Sequence, residues 1–129
     1  MGRLRNVILF SVAAAIGSGI PRLATAAQVV NVNVTQINTV AIAGTEGSTS
    51  GATAVLVRTT GSSTGTVPSC ASGSGAVFAL DSSTAGGRAA LAIALVAQTT
   101  GQTITIYGIG SCTAYYAVES IGWIYLVGS

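Results

Sequence analysis

The chain is built from short runs in which apolar and polar residues alternate at every second position, each closed by a cluster of Gly, Ser and Thr. A two-residue period puts neighbours on opposite sides of an extended strand, so such runs predict half-buried β-strands. Gln28 to Thr35, QVVNVNVT, sets Val30, Val32 and Val34 against Asn31, Asn33 and Thr35. Val40 and Ile42 continue the parity but Gln36 and Asn38 interrupt it, which predicts one long bent strand or two short ones. Gly44 to Gly51, GTEGSTSG, reads as a turn. Ala52 to Thr59, ATAVLVRT, is a second strand with Val55 and Val57 on one face and Leu56 and Arg58 on the other. A polar loop from Thr60 to Gly75 carries Cys70 and leads to a third strand, Ala76 to Asp81.

The period then changes. Asp81-Ser82-Ser83-Thr84 offers N-cap side chains, with Asp81 read as a helix cap, and Ala89 to Gln98, AALAIALVAQ, is rich in helix formers. Gly101 stands where a terminating glycine would end that helix, while Gly86 and Gly87 blur its start. Its apolar sides predict burial against the sheet or at a subunit contact. Gln102 to Tyr107 is a fourth strand, Gly108 to Ser120 a loop with Cys112, Tyr115 and Tyr116, and Ile121 to Val127 a fifth strand. The order β-β-β-α-β-β predicts a mainly β, OB-fold-like five-stranded barrel with one helix between strands three and four.

The first 27 residues differ from all of this. Arg3 and Arg5 precede an apolar run from Val7 to Ile20, Pro21 breaks it, and Ala24-Thr25-Ala26 gives the small-x-small pattern that a signal peptidase reads. The run falls short of the roughly 20 residues a membrane-spanning helix needs. The expected outcome is a cleaved signal over residues 1–27, cut after Ala26 or Ala27, and one secreted or periplasmic domain over 28–129. No membrane insertion is expected after cleavage.

Removing that leader changes the electrostatics. The whole chain carries +2, but beyond the leader only Arg58 and Arg88 stand against Glu46, Asp81 and Glu119, a net charge of −1. Neutralised phosphates dominate nucleic-acid affinity, so two cations argue against nucleic acid as a partner. Weak charge repulsion leaves room for a homo-oligomer. A small exported domain is short of core, and Cys70 and Cys112 predict a disulfide. Closing their loop should contribute roughly 3–4 kcal/mol by reducing the entropy of the unfolded chain. With no His, neither a metal site nor any cofactor is expected.

The segment Arg88 to Tyr107, RAALAIALVAQTTGQTITIY, followed by a loop Cys and a final strand, resembles small exported bacterial OB-fold-like proteins. The resemblance covers about Val77 to Val127, with an echo at Val32 to Ile37, VNVTQI. The arrangement is also similar to the B subunits of AB-type bacterial toxins. That similarity implies a ring-forming binding module for glycans, and no family contact residue maps onto this chain.

Catalysis finds little material. A Ser-His-Asp or Cys-His arrangement needs His and a Ser-Lys pair needs Lys, and the chain has neither. Asp81, Glu46 and Glu119 are the only carboxylates for a glycosidase-like pair, so the chain is expected not to be an enzyme. Gly108-Ile109-Gly110 lacks the strand-to-helix setting of a phosphate loop. The aromatics are more informative. In the fifth strand Trp123 and Tyr125 alternate with Ile124 and Leu126, so an aliphatic core face would turn the two aromatics outward. Trp123, Tyr125, Tyr115 and Tyr116 are the candidate ligand-binding residues, for a glycan or protein ligand. Two other readings stay open: the aromatics are core, or the domain is a structural or interaction protein of the bacterial envelope.

Overall fold

The computed structural model describes residues 26–41 and 53–128. The expected signal segment up to residue 25, Ile42, the expected Gly44–Gly51 turn and Glu46 lie outside the described residues. The described chain is mainly β. Strands β1 (Gln28–Val32), β2 (Val34–Ala41), β3 (Thr53–Thr59), β4 (Val77–Asp81), β5 (Ile104–Gly108) and β6 (Ile121–Leu126) accompany one helix, α1 (Ala85–Thr100). They form two antiparallel three-stranded sheets, ordered β1-β5-β6 and β2-β3-β4.

This corrects the expectation of a five-stranded barrel: the described residues form six strands and no closed barrel. The extra strand arises where QVVNVNVT breaks. Asn31 takes a left-handed backbone with φ 52°, tolerable for Asn, and the register with β5 shifts between Val29 and Val32. Thr60 then clasps Asn33. Its hydroxyl accepts the Asn33 N–H at 3.0 Å, and its own N–H donates to the Asn33 carbonyl at 2.9 Å. The chain therefore leaves one sheet at Val32 and enters the other at Val34.

The two sheets enclose one core. Val29, Val32, Ile104 and Ile106 come from the first, and Val34, Val55, Val57, Phe78 and Leu80 from the second. The β3 parity holds: Val55 and Val57 point inward, while Leu56 packs on a smaller cluster of Val77, Ala79 and Val118. Helix α1 closes on the main core through Ala94 and Ala97, whose small side chains permit a close approach. Its outer side leaves Leu95 and Val96 exposed. No helix among the described residues is long and apolar enough to cross a membrane.

The helix start that the sequence left open lies at Ala85, because Thr84 is the N-cap and accepts the Gly87 N–H at 2.9 Å. A Cβ at Gly87 would strike the Asp81 carbonyl, so the glycine read as a weakness is what lets this turn close. Asp81 is not the cap. Its Oδ1 accepts the Ser83 N–H at 2.8 Å and the Ser83 hydroxyl at 2.6 Å, shaping the preceding turn and holding its pKa below the ordinary carboxylate value. Gly101, with φ 72°, ends the helix as expected.

The Cys70–Cys112 disulfide is present, with Cα atoms 6.2 Å apart. It ties a short 3-10 turn (Ser69–Ala71), which precedes β4, to the β5–β6 loop, and so staples one sheet's connection to the other's.

Candidate functional site

The site is built on β5 and β6. The run IGWIYL keeps a two-residue period through its second half, and packing decides which face is inside. Ile124 and Leu126 lie against the core, while Trp123 and Tyr125 point away and are 71% and 48% exposed. At the start of β6 the period slips. Tyr107 pairs with Trp123 and Gly108 with Ile121, so Gly122 is the extra residue of a bulge. A Cβ there would lie 2.8 Å from Ile109 Cγ2, so a side chain at this position would have to displace Ile109.

The register places a third aromatic beside the pair. Tyr107 is the direct cross-strand partner of Trp123, and Thr105 that of Tyr125. Tyr107 and Tyr125 therefore sit diagonally on one face. A hydrogen bond between their phenols raises the Tyr107 pKa above its ordinary value. Tyr107, Trp123 and Tyr125 together line a depression of about 430 Å³. On its other side Trp123 borders a second depression, also about 430 Å³, between β6 and the start of α1, whose wall includes Asp81, Thr84 and Thr113. The indole thus stands between an aromatic plate and a more polar hollow.

Tyr115 and Tyr116 do not line this depression. Their rings lie 4.7 Å apart, tilted by 37°, and a hydrogen bond from the Tyr115 phenol to Tyr116 raises the Tyr115 pKa. Tyr115 packs on the Val77–Ala79–Val118 cluster, whereas Tyr116 is 65% exposed. A loop residue has no strand parity to read, so the sequence could not place either ring.

Tyr107 was legible in principle. It shares the parity of Thr103 and Thr105, opposite Ile104 and Ile106, and only its partner across the sheet was hidden. Glu119 left no such signal. It is buried, and burial raises its pKa against the opposing influence of the Gly110 and Ala27 amides. Among the described residues no group of three His, Cys, Asp or Glu side chains gathers to hold a metal ion. Comparison with protein families, curated proteins and solved structures finds no match to this chain.

Proposed function

We propose that this chain is an exported, disulfide-stapled domain that binds a neutral glycan on the Tyr107–Trp123–Tyr125 face. The observation that carries the reading is the exposure of Trp123. The chain's only tryptophan is 71% exposed on a strand whose opposite face is packed, and two tyrosines flank it. Such a residue adds little to the core, yet it is the residue type best suited to stacking on the C–H face of a sugar. The phenols of Tyr107 and Tyr125 and the polar wall near Thr84 and Thr113 offer hydrogen-bond partners for hydroxyls. Among the described residues no cation lines either depression, which favours an uncharged ring over an acidic one.

Export is supported by the leader and by the disulfide, a bond that persists in oxidising compartments. For the fold we propose an opened variant of the OB plan. The bend from β1 to β2 passes the chain between the sheets, and a parallel bridge from Ala79 to Ser120 brings β4 beside the start of β6. The glycan ligand accords with the resemblance to toxin B subunits.

A glycan array probed with the mature domain and with Trp123→Ala tests the reading. Binding to neutral glycans that the variant loses is the expected result. Binding that survives the substitution, or no binding at all, overturns it. Sedimentation of both proteins separates the competing use of the face, because self-association lost with Trp123 would make it a contact between copies of this chain.

A further inference from the structure

Glu119 poses a problem that the rest of the fold does not answer. It is 2% exposed at the end of the β5–β6 loop. Its Oε1 accepts the Gly110 N–H at 2.8 Å, while Oε2 has no hydrogen-bond partner among the described residues. A Cβ at Gly108 would overlap the carboxylate, so the backbone has made room for this group. Burying a carboxylate without a cation is costly, and among the described residues the influences on its titration include none. Of the two arginines beyond the leader, Arg88 is engaged with the Ser82 and Ser83 carbonyls and Arg58 is exposed, and the chain has no lysine.

The segment before β1 lies against this carboxylate: the Ala27 carbonyl accepts the N–H of Gly108, the residue whose missing Cβ leaves space for Glu119, and the Ala27 amide opposes the rise of the Glu119 pKa. Ala27 is itself 2% exposed and firmly held. Its carbonyl accepts the Gly108 N–H at 2.8 Å, and the next residue, Gln28, exchanges two hydrogen bonds of 2.8 Å with Thr64. Ala27 also follows directly on Ala24-Thr25-Ala26, the cleavage pattern.

We infer that the leader is cut between Ala26 and Ala27, and that the new α-ammonium of Ala27 becomes the buried cation of Glu119. A signal peptidase adds one water across the Ala26–Ala27 peptide bond. The carboxylate leaves on Ala26, and the amine left on Ala27 takes up a proton. One amide hydrogen is thereby replaced by three ammonium hydrogens, which brings a cation and further donors beside the carboxylate. A cut one residue later would remove Ala27 and leave Glu119 without a cation. Processing and folding are coupled: the cleaved chain holds an ion pair that the uncut chain cannot form.

The absence of lysine makes the test direct, since the α-amine is the only primary amine in the protein. Intact mass of the exported protein should place Ala27 first. An amine-acylating ester should then label the native protein about tenfold or more slowly than the same protein unfolded with its disulfide intact, because an ion pair that raises the amine pKa by about one unit cuts the reactive free base tenfold. A chain made to start at Ala26, whose amine lies one residue away, should label equally fast folded or unfolded. Glu119→Gln, where it folds, should label faster than the mature protein that keeps Glu119, and an unchanged rate would overturn the inference. A first residue other than Ala27, equal native and unfolded rates in the mature protein, or equal protection in the chain starting at Ala26 would each overturn the inference.

Discussion

Strands β4 and β6 are similarly apolar on paper, VFALD against IGWIYL, and the fold treats them in opposite ways. β4 is covered on both faces: Phe78 and Leu80 enter the main core, and Val77 and Ala79 enter the smaller cluster that the β5–β6 loop lays over them. β6 is covered on one face only, and its two largest side chains stand in solvent. Composition does not separate the strands; the neighbouring segments do. β4 contributes stability, and β6 offers a surface that stability does not require.

The strongest way to break that contrast is to cut one aromatic from each strand. Phe78→Ala should lower unfolding stability by about 3–5 kcal/mol, whereas Trp123→Ala should change it by less than about 1 kcal/mol. Urea denaturation decides it, and equal losses would make Trp123 a structural residue. Next in size, replacing Cys70 and Cys112 together by Ser should cost roughly 2–4 kcal/mol, because the bond ties the connection before β4 to the loop before β6. A negligible change in midpoint would mean that the sheets are held by the core alone.

Two smaller effects sharpen the β6 side. Trp123→Ala should weaken glycan binding by roughly 2 kcal/mol, about thirtyfold in Kd by titration calorimetry, as loss of an anchor aromatic does. Tyr107→Phe keeps the ring but removes the phenol that bonds Tyr125, and should cost about 0.5–1.5 kcal/mol of affinity. If the phenylalanine variant binds worse than Trp123→Ala, the plate is centred on the wrong residue.

The last effect is a slope. In a chain retaining residues before Ala27, burial holds the Glu119 pKa above its ordinary value. The folded state then keeps this proton longer than the unfolded state, so stability should fall as pH rises from the ordinary glutamate pKa to the raised one. The groups acting on the carboxylate are the Gly110 and Ala27 amides. With the Ala27 ammonium present, the pKa should drop and the slope should flatten or reverse. Denaturation midpoints across acidic to neutral pH, measured on both forms, show the difference.

Much of this molecule follows from the order of its residues. The alternation in TAVLVRT, TITIY and IYLV determined which side chains share a face. Thr84, among the N-cap candidates, and Gly101 marked the helix ends, and two cysteines in a chain expected to be exported implied their bond. These are local or pairwise consequences of backbone geometry and compartment. What the sequence left open depended on contacts distant along the chain. Whether VNVNV ran straight or broke rested on Thr60 clasping Asn33. Tyr107 rather than Tyr115 or Tyr116 joined Trp123 because the β5–β6 register put it opposite. The burial of Glu119 beside Ala27 needed the loop after β5 to meet the segment before β1. Periodicity says which residues face the same way; only tertiary packing says what they face, because burial is a property of the neighbours that arrive.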